Sequence, residues 1–332
     1  PNLFDVTFRV LEHGCEVDAV QSYFGMRKVS IQNGQFLLNN RSYYQKLVLD
    51  QGYWPESLLT APSDEAFIRD IELTKAMGFN GVRKHQKVED PRYLYHADRM
   101  GLLVWGEIGA AYLYSEQYAD RIYREWLDVL QRDYNHPCIA VWTPLNESWG
   151  VQEIETDPRQ QAHSEAMVAI TKSMDTTRPV VDNDGWEHTN GDLLTIHDYS
   201  PSGEILRAHL GSMDAILALR PAQRALFVGR HAYAGQPVLL SEFGGVKFVP
   251  GMEEQRSWGY CEADSCAAFA GKLRELFDAV RACPLVGGYC YTQLTDVETE
   301  QNGLLTYDRT PKLPPATICA ILNGRTNEHE NL

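Results

Sequence analysis

Runs with strand composition alternate along this chain with longer segments of helical period, and no other feature constrains the fold as tightly. The runs cover residues 43–49, 81–83, 102–105, 139–143, 179–182, 194–197, 237–241 and 285–291. A strand followed by a helix and a further strand implies a parallel pair joined by a crossover. Eight such units predict an α/β fold, a closed (β/α)8 barrel, with its site at the C-terminal ends of the strands. The helices carry clear punctuation. Ser63 with Asp64 and Glu65 opens one that stops at Gly78. Asp90-Pro91 opens another that ends at Gly101, and Asp157-Pro158 repeats the start signal.

Two hairpins precede the alternation. Residues 1–24 alternate loosely (Phe4, Val6, Phe8, Val10) and turn at His13-Gly14, the pattern of the last hairpin of a sandwich whose other strands are absent. A chain that opens Pro1-Asn2-Leu3-Phe4 is read as cut from a longer protein. Asn33-Gly34 is the turn signal of a second hairpin, between residues 24–31 and 35–39. The expected division is residues 1–24, the tail of a truncated sandwich, and residues 25–332, a barrel with an N-terminal hairpin.

Composition narrows the partners. The 332 residues carry a formal net charge of −15, which argues against nucleic acid and against an anionic membrane surface. No run approaches the roughly 18 apolar residues of a membrane span. Seven cysteines, mostly in apolar contexts, are expected as buried free thiols, and Cys261 with Cys266 lacks the spacing of a zinc site. No cofactor or metal is called for, a cytoplasmic location is expected, and a homo-oligomer is left open.

The strand ends collect polar residues: Asp50, Arg83, His85, Glu107, Asn146, Glu147, Asp182, Asp184, His197, Tyr199, Glu242 and Gln293. Two segments share one grammar. Val141 to Gly150 and Pro237 to Gly245 each run from an apolar strand to a carboxylate and then to glycine. An isolated Asn-Glu pair is ordinarily a capped turn with a surface carboxylate; the repeat on another strand points instead to a working pair. Trp54, Trp105, Trp142, Trp149, Trp186 and Trp258 fall on or near the same edge, which suggests a wide aromatic-walled cleft suited to sugar rings. Two carboxylates opposed across a cleft are what glycoside hydrolysis needs, one protonated and one ionised. Arg83 is placed to keep one ionised, and Trp142 or Trp149 to desolvate the other. A metal hydrolase built on His85, Glu107, His197 and Asp198 is the rival, but no ligand spacing such as His-Glu-x-x-His supports it. A sugar-binding barrel without catalysis is a third reading.

The segments Pro-Leu-Asn-Glu-Ser-Trp-Gly around Glu147 and Leu-Ser-Glu-Phe-Gly-Gly around Glu242 resemble the two catalytic segments of glycoside hydrolase family 2, the β-galactosidases, β-glucuronidases and β-mannosidases. Tyr23 to Arg27, Ala76 to Arg83 and Asp98 to Glu107 are similar to that family's approach to the barrel and to its second and third strands. The resemblance implies a retaining exo-β-glycosidase with carbohydrate as its partner, Glu147 as acid/base and Glu242 as nucleophile. It implies that Asn146 holds the sugar 2-hydroxyl and that Arg83 and Tyr199 orient the nucleophile. It also implies that the first hairpin is the end of an immunoglobulin-like sandwich. His197 stands where several members have Asn. Asp50, His85, Glu107, Trp149, Tyr291 and Gln293 complete the expected substrate-binding or supporting set. There are departures. Arg83-Lys84-His85-Gln86-Lys87 replaces the family's Arg-x-Ser-His-Tyr-Pro, so its His is displaced or lost. Tyr291-Thr292-Gln293 replaces a Trp floor, and Asn302-Gly303-Leu304 lacks the Lys of the uronate-gripping Asn-x-Lys. A neutral β-hexoside, galactoside first, is therefore expected ahead of a glucuronide or a mannoside, with Lys84 or Lys87 as the residues that would supply a missing charge.

Overall fold

The computed structural model describes residues 1–251 and 257–325; the end of the expected barrel span, residues 326–332, lies outside the described residues. Strands β1 (Leu3–Glu12) and β2 (Cys15–Gly25) form the first hairpin, and β3 (Val29–Gln32), β4 (Gln35–Leu38) and β5 (Arg41–Ser42) a small antiparallel sheet. Asn33 and Gly34 both take positive φ (53° and 69°), as a two-residue turn of this hand requires. The parallel wall follows: β6 (Gln45–Asp50), β7 (Gly81–Lys84), β8 (Leu103–Glu107), β9 (Ile139–Thr143), β10 (Leu194–Asp198) and β11 (Val238–Gly244). After the short pair β12 (Val246–Lys247) and β13 (Cys261–Glu262) comes β14 (Val286–Thr292). The order β10-β11-β14-β6-β7-β8-β9 is that of a curled parallel sheet.

The remaining expected strand, the fifth in chain order at residues 179–182, forms no ladder. Val180 bridges Trp142 and Asp184 bridges Asn146 as isolated contacts. Pro179 has no N–H to give. A side chain replaces the missing neighbour: Val180 donates to Asp192 Oδ2 (2.9 Å) and accepts from Asp192 N (2.8 Å).

Helices α1 (Asp64–Ala76), α2 (Pro91–Met100), α3 (Glu116–Asp133), α4 (Pro158–Met174), α5 (Gly203–Leu210), α6 (Met213–Leu217), α7 (Cys266–Arg281) and α8 (Pro315–Leu322) lie between or after the strands. Ser63, Asp90 and Asp157 cap α1, α2 and α4 with their side chains, and Gly101 ends α2 at φ 73°. No helix among the described residues is long and apolar enough to cross a membrane.

Inside the wall, Leu47, Leu49, Trp105, Val141, Leu239 and Cys290 pack together, with Val29 and Phe36 of the β3–β4 hairpin in the same cluster. This hairpin therefore plugs the end of the barrel opposite the strand C-termini. The first hairpin is different. Its base is tied down by Tyr23 Oη donating to Asp98 (2.7 Å) and by Arg27 donating to the carbonyls of Pro137 and Ile139. The rest stands in solvent, with Phe8 and Leu11 each 62% exposed. All seven cysteines are free, but only Cys138, Cys283 and Cys290 are fully buried; Cys15 and Cys266 are exposed, against expectation.

Candidate active site

Arg83, at the inward-facing end of β7, is the centre of the polar interior. Its side chain is fully buried. It donates to Glu107 (Nε–Oε2, 2.8 Å), to Glu242 Oε1 (Nη1, 2.7 Å) and to Asn146 Oδ1 (Nη2, 2.6 Å), and Nη1 lies 2.6 Å from Asp184 Oδ2. Burial alone would lower its pKa; the carboxylates of Asp184, Glu107 and Glu242 outweigh that and raise it. Burial pushes Glu107 up to about 7, with Arg83 and the backbone N–H of Gln86 opposing.

Glu242 is brought inward by an irregularity. Leu239 faces the barrel interior and Leu240 the outer core, so strict alternation would turn residue 242 outward. Register shifts opposite Ile196/His197 and between Leu240 and Phe243 reset the parity. The carboxylate then accepts from Arg83 and, on Oε2, from Tyr199 Oη at 2.5 Å; Tyr199 Oη also lies 2.9 Å from Thr292 Oγ1. Burial pushes the Glu242 carboxyl above its ordinary range and Glu147 adds to the push, while His197 and Arg83 hold it down.

Glu147 lies just beyond β9, in a turn where both Glu147 (φ 52°) and Ser148 (φ 58°) are left-handed. Such backbone costs roughly 1–3 kcal/mol per residue and persists only where neighbours over-determine it. Here Glu147 N donates to Asp184 O (3.0 Å), Ser148 N to Asn183 Oδ1 (2.9 Å), and Ser148 Oγ to Glu187. The Glu147 side chain meets His197, whose Nδ1 donates to Oε1 at 2.8 Å while Nε2 donates to Asp184 at 3.0 Å. Burial would lower the His197 pKa, but Glu242, Asp184 and these hydrogen bonds raise it to about 10. Glu147, His197 and Glu242 each present one ligand atom within 4.8 Å of the others.

The structure brings Arg83, Glu107, Asn146, Glu147, His197, Tyr199 and Glu242 together, and His85 with them. Its Nδ1 sits 3.3 Å from Arg83 Nη2 and 3.7 Å from Glu242 Oε1. Burial, with Arg83 beside it, keeps the His85 pKa low and the ring neutral. The altered motif after strand two thus still delivers a histidine to Glu242. Asn146 Nδ2 is buried with no partner among the described residues.

Others go elsewhere. Asp50 is bound to Lys84, which also holds Glu89 at 2.6 Å, and both lysines named as uronate clamps are committed, since Lys87 donates to Gly52 O (2.7 Å) and pairs with Glu89 (3.2 Å). Tyr291 packs outward against Phe243 and Phe277; the next residue, Thr292, faces the site. Asp198 faces His209 (2.7 Å) rather than His85 or Glu107, so the four residues of the metal reading do not converge. Trp54 and Trp142 lie in the outer core against Phe67 and Trp126, and Trp105 bonds Gln45 inside the barrel. Trp142 therefore does not desolvate either carboxylate. Trp149 leans on exposed Tyr112 (ring centroids 5.0 Å). Trp186 does line the cleft as expected, edge-on to His197, joined by Tyr260, stacked on Tyr199.

Gln293 belongs to a closed ring of side chains. Gln51 Nε2 donates to Gln293 (2.9 Å) and to Glu300 (3.0 Å); Gln293 donates to Asn302 (2.7 Å), and Asn302 to Glu300 (3.2 Å). Burial raises the Tyr260 pKa, and Glu242, Glu147 and Glu300 all add to the rise, so Glu300 lies within electrostatic reach of the tyrosine beside Glu242 and Glu147. Sequence reading left Gln51, Glu300, Tyr260 and Thr292 out, because no motif marks them. Asp184 was visible as a strand-end carboxylate, but not its bond to Arg83.

Comparison with known proteins bears on the fold that carries these residues. The sequence model for glycosyl hydrolases family 2, TIM barrel domain, matches residues 29–244. A β-galactosidase of Vibrio vulnificus is 31% identical over 199 residues, 57% of this chain and 18% of that protein. A β-glucuronidase of Streptococcus agalactiae is 23% identical over 337 aligned residues, 89% of this chain and 52% of its own length. Each match thus spans about half of the curated relative or less. A crystal structure of a GH2 β-galacturonidase from Eisenbergiella tayi bound to galacturonate superposes with TM-score 0.76 at 19% identity, covering 98% of this chain and 58% of that one; at such identity it shows the shared fold. Given the family match over most of the barrel, this chain belongs to glycosyl hydrolase family 2.

Proposed function

We propose that the chain is the barrel of a retaining exo-β-glycosidase acting on a neutral terminal β-hexoside, galactoside first. The observation that carries this is the placement of Glu147 and Glu242, each offering an oxygen within 4.8 Å of the other. Carboxyl groups about 5–5.5 Å apart suit a covalent glycosyl-enzyme, whereas inversion needs about 6.5–9.5 Å to seat a water. In this reading Glu242 attacks the anomeric carbon as the bond to the leaving oxygen breaks, and that oxygen takes the proton from Glu147. Water then attacks the same carbon, gives its proton back to Glu147 and releases Glu242. His197 Nδ1 lies 2.8 Å from Glu147 Oε1 and holds in place the carboxyl group that gives and then regains the proton. Asn146 Nδ2 is suited to the 2-hydroxyl.

The neutral sugar is favoured by charge. Lys84 and Lys87 are engaged with Asp50, Glu89 and Gly52, and the ring that includes Gln51 offers the Glu300 carboxylate. A uronate there would meet like charge, with Lys84 and Lys87 already engaged among the described residues. The exposed apolar side chains of the first hairpin, Phe4, Phe8, Val20 and Phe24, support reading it as part of an immunoglobulin-like sandwich beside the barrel. Proton NMR of the first-formed sugar tests the chemistry: the β-anomer is expected, and an α-anomer overturns retention. Matched β-galactoside and β-glucuronide test the sugar, with a higher kcat/KM on the glucuronide overturning it.

A further inference from the structure

A cleft of about 790 Å³, within the range of small-molecule sites, opens from Glu147 and His197 toward α5 and α6. We infer that it is a leaving-group subsite for flat apolar aglycones, aromatic alcohols rather than a second sugar. The inference rests on the glycosidase reading for its direction. Glu147 is the group that protonates the leaving oxygen, so the leaving group must lie on its side, and this cleft is the space there.

The walls set the chemistry. Ala208 of α5, Ala215 of α6, and Ala218, Leu219 and Pro221 beyond it present methyl and methylene groups. Of the polar lining, Asp198 and His209 are satisfied on each other at 2.7 Å, Asp198 also accepts from Ser200 N at 3.0 Å, and Arg220 at the rim donates to Gln223 O (3.3 Å) and lies 3.8 Å from Glu155. The hydroxyls of a second sugar would be taken from water and find few partners, which is costly. A flat ring meets better terms. Tyr260 is stacked on Tyr199 by one face (3.4 Å between centroids, 8° between planes) and is 43% exposed. Trp186 meets His197 edge-on and adds its ring to the same wall.

The test separates the two halves of the substrate. Ala218→Trp on the exposed rim fills the cleft, and Leu219→Gln makes its wall polar at similar size. Turnover of the 2-naphthyl β-glycoside and of the glycosyl fluoride of the same sugar is compared, the fluoride having almost no leaving group to bind. Both variants are expected to lower kcat/KM for the naphthyl substrate by about tenfold or more while the fluoride stays within about twofold. Parallel losses on both substrates, or no loss on either, overturn the subsite. Calorimetry with 2-naphthol alone reads the cleft independently of catalysis. If wild type turns over neither substrate yet binds naphthol, and Ala218→Trp does not, the glycosidase reading fails and the apolar site stands. Absence of naphthol binding together with equal turnover of naphthyl and methyl glycosides overturns the site.

Discussion

Glu147 and Glu242 end two segments of similar grammar, yet the protein holds them in opposite ways. Glu242 lies within its strand, its side chain 5% exposed and gripped by Arg83 and Tyr199 on separate oxygens. Glu147 lies past its strand in a left-handed turn, its side chain 25% exposed, with His197 as its one side-chain partner among the described residues. In the roles proposed for them, Glu242 as nucleophile must meet one carbon from one direction, so rigid confinement serves it. An acid/base must serve a leaving oxygen and then a water, so an open side serves it. The difference teaches that immobility and access are distributed between the pair rather than shared.

Substitution should expose that division. The largest effect is expected for Glu242→Gln, a fall in kcat of about 10⁴ or more on every substrate in steady-state assays; residual turnover above one per cent would break the assignment. Glu147→Gln comes next, with losses of about 10²–10⁴ on poor leaving groups and far smaller ones on activated aryl glycosides. A plot of log kcat/KM against leaving-group pKa should therefore steepen for this variant; an unchanged slope would mean that the two carboxylates are not divided as described. Tyr199→Phe removes the 2.5 Å donor to Glu242 and is expected to lower kcat by about 10–10² with the leaving-group slope unchanged. The smallest and most specific effect is a pH dependence of stability at His197. Its folded pKa of about 10 lies above the ordinary value near 6.5, so its protonated form stabilises the fold fully below about pH 6.5. That contribution is lost as pH rises through about 10. The difference in Tm between wild type and His197→Asn should shrink from pH 6 to pH 10, and a difference that grows with pH would contradict the imidazolium.

Local chemistry made much of this readable beforehand. The caps at Ser63, Asp90 and Asp157 and the Asn33-Gly34 turn are set by a few adjacent residues, and they stand where the sequence puts them. Glu242 was found by motif, while strand parity would have turned it away; the register shift that corrects it depends on neighbouring strands and leaves no local mark. The tryptophans misled for a related reason. Trp142 follows inward-facing Val141, so its ring enters the helix layer, and position near a rim does not decide which face a side chain takes. The Glu300 ring joins residues 51, 293, 300 and 302, contacts that only the closed barrel creates.

The fifth strand position carries a further consequence, for the way the molecule comes apart. Seven strands share one laddered sheet, register shifts included, but the wall beneath Glu147 is closed on the β9 side by the few backbone bonds of isolated bridges at Val180 and Asp184, and on the β10 side largely by side chains: Asp192 on Val180, Thr195 on Gly185, His197 on Asp184. Side-chain bonds across a seam break one at a time, whereas a ladder resists as a unit. Amide exchange should therefore be fastest in the wall around residues 180–185, and warming should loosen the Glu147 turn while the β11–β14–β6 sector around Glu242 stays closed. Loss of activity would then run ahead of global unfolding, and the shelf life of the catalyst would be set at this seam rather than by the melting of the barrel.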